Sequence, residues 1–223
     1  ALPVRGDLNN PRDRAWPHFI RTATAEQADI AARAMAAAGV RLVEITLTVP
    51  DAFELISALA RDEALADAGV VIGAGTVLSG TEAEESLLAG ARFLVSPAFI
   101  PDMITAAKAH DAMTMPGTMT ATEMVAAANA GADYIKVYPL ATIGGPGFIA
   151  NIRRALHLLP LVVTGNIGYD EIPESLRVGV VGFGIGGPLV PPERPAGGEH
   201  AALVGNARHF TAATCRRRGM RRD

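Results

Sequence analysis

The chain has 223 residues, of which 49% are hydrophobic and 5% are aromatic, and this suits one large domain or two small ones with a substantial buried core. Its formal net charge of -3 gives no global indication of a nucleic-acid partner or of binding to an anionic membrane surface. The single cysteine, Cys215, excludes an internal disulfide framework and a cysteine-rich metal site, and it fits a reducing compartment.

The N-terminal segment is polar and contains proline, and we expect it to form a loop or short helix before the first strand. It lacks the basic segment followed by an apolar one that marks a secretory signal. No apolar stretch reaches the roughly 20 residues that a membrane-spanning helix needs. We therefore expect a cytoplasmic protein without a membrane partner.

From about residue 17 to residue 190, short β-branched runs alternate with Ala-rich segments. The runs predict strands, and in chain order they are "HFIRT" (18–22), "LVEITLT" (42–48), "VVIGAGTV" (70–77), "RFLVSPA" (92–98), "AMTMPGT" (112–118), "YIKVYPL" (134–140), "LVVTGNI" (161–167) and "GVVGFGIGG" (179–187). The segments between them, for example those at 25–39, 50–65 and 80–91, carry apolar residues at helical spacing, and several of the segments end in glycine.

This alternation predicts parallel βα units. With no break in composition, it indicates a single (β/α)8 TIM-barrel domain over residues 1–223, with its core at about 17–190. A doubly wound open sheet has the same local pattern. The nearly even spacing, and the lack of a G-x-G-x-x-G motif after the first predicted strand, favour the barrel.

Glu44 is the first residue that the strand period singles out. In "VEITLT" the side chains of Val43, Ile45 and Leu47 share one face, and those of Glu44, Thr46 and Thr48 share the other. The aliphatic face is expected to pack under the helices, which directs Glu44 into the barrel. A buried carboxylate has a raised pKa, which suits acid/base chemistry, although a structural glutamate held by a salt bridge fits the same pattern.

Lys136 follows the same logic in "YIKVYP". Ile135 and Val137 are expected to face the helices, so that Lys136 points inward together with Tyr134 and Tyr138. Desolvation lowers the pKa of a lysine, and a neutral amine is a nucleophile toward carbonyl carbon. The position therefore suits a Schiff-base lysine, and a lysine that merely pairs with Glu44 is the alternative.

The other predicted strand ends are rich in glycine and hydroxyl residues. They are "GAGT" (73–76), "SPA" (96–98), "PGT" (116–118), "TGN" (164–166) and "GFGIGG" (182–187). Together they predict a floor of backbone N–H groups and hydroxyls for a small polar substrate. The last of them lies in the unit where barrels often hold a phosphate group.

After the last predicted strand the pattern changes. Residues 191–200 are rich in proline and glycine, residues 201–218 predict a closing helix, and "RRRGMRRD" (216–223) is a basic run. The run has no interleaved aromatic residues, which favours a solvated tail over a nucleic-acid-binding arm. The histidines lie far apart without ligand spacing, so no metal site is expected.

Taken in order from about Phe19 to Val190, these motifs resemble those of the KDPG/KHG aldolases. The resemblance rests on "VEITL", "IGAGTVL", "VSPA", "PGTMTATE", "IKVYP" and "GIGG". It implies a class I aldolase that splits 2-keto-3-deoxy-6-phosphogluconate, its galactonate epimer or 4-hydroxy-2-oxoglutarate into pyruvate and an aldehyde. It further implies no cofactor, no catalytic metal and a homotrimer.

Residue by residue, the resemblance matches Lys136 to the Schiff-base lysine and Glu44 to the general acid/base. Arg21 matches an arginine suited to gripping a carboxylate, and Thr76 matches a threonine near the bound pyruvyl group. The further residues expected to bind the 2-oxo acid substrate are Thr48, Ser96, Pro116, Thr118, Thr164, Gly165, Asn166, Gly186 and Gly187.

Three positions depart from the family pattern. Thr48 stands where the phosphogluconate branch has an arginine, Gly165-Asn166 replaces a Gly-Gly pair, and Gly187-Pro188 replaces a stretch with a serine. Proline has no N–H to offer a phosphate. Whether the substrate is phosphorylated therefore stays open at this point.

Two other functions fit the same residues. One is a phosphate-binding isomerase or synthase in which Lys136 acts as an electrostatic clamp without forming an imine. The other is a non-catalytic barrel that binds oxo-acids, which the departures at Thr48 and Asn166 motivate.

Overall fold

The computed structural model describes residues 17–186 together with Val204, Gly205, Ala207 and Arg208. Strands and helices alternate along these residues. The strands are β1 (Pro17–Ile20), β2 (Leu42–Thr46), β3 (Val71–Gly75), β4 (Phe93–Val95), β5 (Met113–Met115), β6 (Gly117–Thr118), β7 (Ile135–Val137), β8 (Leu161–Thr164) and β9 (Gly182–Gly184). The helices are α1 (Ala25–Ala37), α2 (Ala52–Ala60), α3 (Glu63–Asp67), α4 (Gly80–Ala89), α5 (Pro101–Ala109), α6 (Ala121–Ala130), α7 (Gly145–Arg153) and α8 (Glu171–Arg177), with a 3-10 turn at Leu140–Ile143.

Every strand pairing is parallel, and the strands follow one another in sequence order. β1 to β5 form one sheet, and β6 to β9 form a second. Pro116 alone separates β5 from β6. Because proline has no N–H to donate to a neighbouring strand, we interpret β5 and β6 as two halves of one interrupted strand. β4 pairs with the first half and β7 with the second.

The two ends of this series meet at a seam between β9 and β1. His18 pairs in parallel with Ile185, and the N–H of Phe19 donates to the carbonyl of Ile185 at 3.0 Å. Eight parallel strand positions therefore close into a ring with helices outside it. The (β/α)8 barrel predicted from the sequence is confirmed.

The core has two layers, separated by the wall of strands. The larger cluster lies between strands and helices and includes Val43, Ile45, Ile135 and Val137. The smaller cluster fills the inside of the ring with Leu42, Phe93, Val95, Met113, Met115, Tyr134 and Val162. Because side chains alternate along a strand, the next inward residues after this apolar plug are polar ones: Glu44, Lys136 and Thr164.

One predicted helix is two helices in the structure. Residues 50–65 were expected to form a single helical segment, but α2 ends at Ala60 and α3 begins at Glu63. The Asp62 carboxylate accepts from the N–H of Leu65 at 3.0 Å and caps the second helix. It also pairs with Arg33 of α1 at 2.7 Å, so the break is tied to a tertiary contact.

Several expectations fall wholly or partly outside the described residues. These are the N-terminal lead-in, the basic tail, and the positions of Cys215, Gly187 and Pro188. Of the predicted closing helix, Val204, Gly205, Ala207 and Arg208 are helical. Ala207 is buried in the core, and the Arg208 guanidinium donates to the carbonyl of Ala37 at 3.4 Å. Within the described ranges, no helix has both the length and the apolar character that crossing a bilayer requires.

Candidate active site

A cavity of about 250 Å³ opens at the C-terminal ends of the strands. Its walls come from residues at or just beyond the ends of β1, β2, β3, β4, β7, β8 and β9. The lining consists of Phe19, Arg21, Glu44, Thr46, Thr76, Pro97, Lys136, Tyr138, Thr164, Gly165, Asn166, Ile167, Gly184, Ile185 and Gly186. A cavity in this part of a barrel is the usual place for a binding site.

Glu44 lies in the wall of this cavity because the neighbouring strand carries glycine. Glu44 is only 4% exposed, and its carboxylate lies against Gly75 of β3. A Cβ at position 75 would come within 1.7 Å of Oε1 of Glu44. Glycine is therefore the residue that leaves room for this carboxylate.

Lys136 lines the same cavity from β7, as the alternation of side chains predicts. The Thr118 hydroxyl donates to the Lys136 carbonyl at 3.0 Å, and the Lys136 N–H donates to the carbonyl of Pro116 at 3.0 Å. The backbone that carries the amine is thus held on its β6 side. A lysine on a strand within the barrel wall is positioned more firmly than one on a loop.

The electrostatic environment moves Lys136 and Glu44 toward their neutral forms. Burial raises the pKa of Glu44, and the charges of Lys136 and Arg21 oppose this rise. Burial lowers the pKa of Lys136, the Glu44 charge opposes this, and the Arg21 charge adds to it. Among the ion pairs within 4.0 Å in the described part of the chain, none joins these two groups. The alternative of a simple Lys136–Glu44 ion pair is not what the structure shows.

Tyr138 lies beside the amine at the mouth of the cavity. The centroid of its ring is 5.1 Å from Nζ of Lys136, and 39% of the residue is exposed. Its N–H donates to the carbonyl of Thr118 at 3.1 Å, which continues the pairing of β6 and β7 past the end of the strand. The ring therefore meets the amine on one side and solvent on the other.

Arg21 and Thr76 form a second polar group in the cavity wall. A guanidinium nitrogen of Arg21 donates to the Thr76 hydroxyl at 3.2 Å. Thr76 has a φ of 61, a left-handed conformation that is rare for a β-branched residue. Such local strain clusters at functional sites, and here it coincides with a hydroxyl that contacts a cation facing the cavity.

The ends of β8 and β9 complete the wall with neutral groups. The Thr164 hydroxyl donates to the carbonyl of Gly184 at 2.7 Å, which joins the two strands. Gly165 and Asn166 follow with φ values of 98 and 53, so the chain turns sharply above the cavity. At Gly186, a Cβ would lie 2.0 Å from the ring of Phe19.

Four residues that were expected to bind substrate do not line the cavity. Thr48 is exposed in the turn after β2, because that strand ends at Thr46, and its hydroxyl lies 2.9 Å from the Thr46 hydroxyl. Ser96 is buried and donates to the carbonyl of Ala98 at 2.6 Å. Pro116 lies between β5 and β6. The Thr118 hydroxyl donates a hydrogen bond to the Lys136 carbonyl.

Other lining residues were not singled out as substrate-binding. They are Phe19, Thr46, Pro97, Tyr138, Ile167, Gly184 and Ile185. Three of them could have been predicted, because residues two apart on a strand share a face. Phe19 is two residues before Arg21, Thr46 is two after Glu44, and Tyr138 is two after Lys136.

In the described residues, no cluster of three or more His, Cys, Asp or Glu side chains is placed to hold a metal ion. The titratable groups of the cavity wall are instead one buried carboxylate, one amine, one guanidinium and the phenol of Tyr138. A desolvated amine near a buried carboxyl group is suited to carbonyl chemistry through an imine.

A comparison with protein-family models matches residues 17–202 to the KDPG and KHG aldolase model. The chain belongs to the KDPG and KHG aldolase family. The family members are aldolases, and aldolases are lyases. The enzyme class expected from the sequence is therefore confirmed.

Individual relatives agree with this assignment. The chain is 35% identical over 188 residues to a probable 2-dehydro-3-deoxy-6-phosphogalactonate aldolase of Rhizobium meliloti (strain 1021), covering 84% of this chain and 87% of that protein. A solved structure described as native KDPGal has a TM-score of 0.78 and 27% identity, covering 88% of this chain and 92% of the other. A KDPG aldolase of Legionella pneumophila, captured with pyruvate as a covalent carbinolamine intermediate, has a TM-score of 0.70 and 25% identity over 93% of this chain and 97% of its own.

Proposed function

We propose that this chain is a class I aldolase that cleaves a 2-keto-3-deoxy sugar acid, with or without a 6-phosphate, or a 4-hydroxy-2-oxo acid. The products are pyruvate and an aldehyde. The observation that carries the proposal is the desolvated Lys136 amine in one cavity with the buried Glu44 carboxyl group. The covalent pyruvate adduct of the Legionella pneumophila relative supports it.

The reaction begins at the Lys136 amine. Neutral Nζ attacks the C2 ketone to give a carbinolamine, and the Glu44 carboxyl group donates a proton to the carbinolamine hydroxyl, which leaves as water and gives a protonated imine on C2. Burial favours this step because it lowers the pKa of Lys136 and so raises the fraction of neutral amine.

Glu44 then acts as the acid/base, directly or through a water molecule. Its carboxylate removes the proton of the C4 hydroxyl, the C3–C4 bond breaks, and the aldehyde leaves while the bonding electrons flow into the imine to give a neutral enamine. Glu44 returns the proton to C3, and addition of water to the protonated imine releases pyruvate and the neutral amine, while the Glu44 carboxylate takes up the proton that this step sets free. The raised pKa of Glu44 suits a group that must both take up and give back a proton near neutral pH.

Arg21 is the proposed anchor for the substrate's carboxylate. A guanidinium binds carboxylates through paired hydrogen bonds, and this one also donates to the Thr76 hydroxyl at 3.2 Å. The remaining wall at Thr164, Asn166 and Gly186 offers neutral groups to the rest of the substrate. Comparing rates of aldol addition of pyruvate to glyceraldehyde and to glyceraldehyde 3-phosphate tests whether that end takes a phosphate.

We further propose that the enzyme is a cytoplasmic homotrimer, in line with the family resemblance. Exposed apolar side chains at Leu78 and Met119 support an association between copies of the chain, because each projects from a loop at the C-terminal rim of the barrel.

The decisive experiment is trapping with pyruvate and sodium borohydride, followed by mass spectrometry of peptides. The sequence contains two lysines, Lys108 and Lys136, so the location of an adduct is unambiguous. We expect the reduced pyruvyl adduct on Lys136, unaffected in a Lys108→Arg control and absent in Lys136→Met. A folded protein that gave no adduct, or an adduct on Lys108 alone, would contradict the imine mechanism.

A further inference from the structure

The ring of Tyr138 faces the Lys136 amine in the cavity wall. Nζ lies 5.1 Å from the ring centroid, within the range of about 6 Å over which a cation is attracted to an aromatic face. The ring also lines the cavity, and the pairing of its own N–H with the Thr118 carbonyl holds its backbone. The contact thus involves a residue placed by the strand framework.

This contact responds to charge at Nζ. The face of an aromatic ring is negative, so it attracts an ammonium ion or a protonated imine but gives no comparable attraction to a neutral amine or a carbinolamine. A carboxylate hydrogen-bonded to the amine would hold the proton on it far more strongly and would oppose nucleophilic attack. An aromatic face gives a weaker stabilisation, which leaves the amine free to lose its proton.

We propose that the Tyr138 ring stabilises the protonated imine at Nζ of Lys136 and is therefore a catalytic residue of the aldolase. The inference rests on the proposed function, because it requires an imine at Lys136. Burial and the nearby Arg21 charge disfavour positive charge at this nitrogen, and the Glu44 charge offsets them only in part. The ring face compensates for part of that cost at the point in the reaction when the charge must form.

The role has a signature in its dependence on pH. Above the pKa of Lys136 the resting amine is neutral, so forming the protonated imine creates a charge and the ring accelerates it. Below that pKa the resting group is already an ammonium ion, so the ring stabilises both states and its effect on the rate cancels. A residue that only packed against Lys136 would affect both pH ranges alike.

The experiment replaces Tyr138 with phenylalanine and with its 4-fluoro, 3,5-difluoro and 3,4,5-trifluoro derivatives. Fluorine withdraws electron density from the ring face and leaves its shape nearly unchanged. The readout is exchange of the methyl protons of pyruvate in D2O, followed by proton NMR, which needs only imine formation and proton transfer. It therefore requires no knowledge of the aldehyde substrate.

Above the pKa of Lys136, we expect the logarithm of the exchange rate to fall linearly with fluorine number, about 3- to 30-fold from phenylalanine to its trifluoro derivative. The slope should vanish below that pKa, and Tyr138→Leu should be slower than Tyr138→Phe. The same series at Tyr169, which is 37% exposed and lies outside the cavity lining, should give no slope.

Two results with an active parent enzyme would overturn the role of Tyr138 alone. One is a rate that does not change along the fluorine series, and the other is a Tyr138→Phe variant as slow as Tyr138→Leu, which would assign the effect to the hydroxyl. If the parent enzyme neither exchanged pyruvate protons nor gave a borohydride adduct, the proposed function and this inference would fall together.

Discussion

At the scale of single residues, the charges around Lys136 act in opposite directions on its pKa. The Glu44 carboxylate raises the pKa and the Arg21 guanidinium lowers it, while burial lowers it most. Two substitutions, each of which removes one charge, separate these effects.

Glu44→Gln removes the negative charge. The pKa of Lys136 should then fall, so that trapping of pyruvate by borohydride reaches half of its maximum at a lower pH than in the parent enzyme. Cleavage should slow by about 100- to 10,000-fold because the general acid/base is lost. A midpoint that moved to higher pH would contradict the electrostatic account of the site.

Arg21→Met removes the positive charge and is the matched opposite of the first variant. The pKa of Lys136 should rise, which moves the trapping midpoint to higher pH. The KM for pyruvate in proton exchange should increase about 10- to 100-fold, since a charge-assisted hydrogen bond to the carboxylate is lost. An unchanged KM would show that the carboxylate binds elsewhere.

At the scale of secondary-structure elements, β3 leaves room for the Glu44 carboxylate because Gly75 has no side chain. Gly75→Ala would place a Cβ at 1.7 Å from Oε1 of Glu44, so either the carboxylate or the strand must move. We expect at least a 100-fold loss of kcat, because displacement of a catalytic group by about 1 Å has effects of this order. Turnover with a cleavable 4-hydroxy-2-oxo acid measures it.

Gly147→Ala in α7 is the matched control for that substitution. Position 147 has open space for a Cβ, with no atom within 4 Å, and helical glycine is less favourable than alanine. The free energy of unfolding should therefore increase by about 0.5 to 1 kcal/mol with activity retained. If both variants lost activity equally, general sensitivity to alanine would explain the result and the specific contact with Glu44 would not.

Strand alternation explains how much of the site the sequence could predict. The face of a β-strand is a local property, so the inward positions of Glu44 and Lys136 followed from their immediate neighbours. The point where a strand ends depends on hydrogen bonds to other segments. At the end of β2 the Thr46 hydroxyl donates to the Ile20 carbonyl at 3.1 Å and the N–H of Val49 to the Thr46 carbonyl at 2.9 Å. This turn places Thr48 outside the cavity, and the alternation of side chains along β2 does not predict the turn.

The same distinction applies to the helices and to the barrel. The alternation of strands and helices predicted the ring, because each unit must bury one face against its neighbours. The break between α2 and α3 depends on Asp62, whose partner Arg33 is 29 residues away. The sequence cannot reveal such a pair without the fold that brings it together.

At the scale of the whole molecule, the exposed apolar rim concerns assembly. Leu78 and Met119 are 53% and 47% exposed, and each precedes the first turn of a helix in a loop held by a glutamate. Exposed apolar side chains on a surface favour association. We expect light scattering after size exclusion to give three times the 23.2 kDa mass of one chain.

The Leu78→Glu and Met119→Glu double variant should shift that mass toward the monomer. Leu158→Glu is the control and should leave the mass unchanged, because Leu158 is exposed in the segment between α7 and β8, away from the rim. A parent protein with the mass of one chain would contradict the homotrimer.

The contact between Gly75 and Glu44 also has an evolutionary consequence. The two positions cannot drift independently, because any side chain at 75 collides with the carboxylate of a glutamate at 44. A lineage that keeps aldol chemistry is therefore held to glycine at 75, because any larger residue displaces the carboxylate from its place in the cavity. A barrel of this ancestry with a larger residue at 75 could be recognised as one whose acid/base no longer lies where Glu44 lies here.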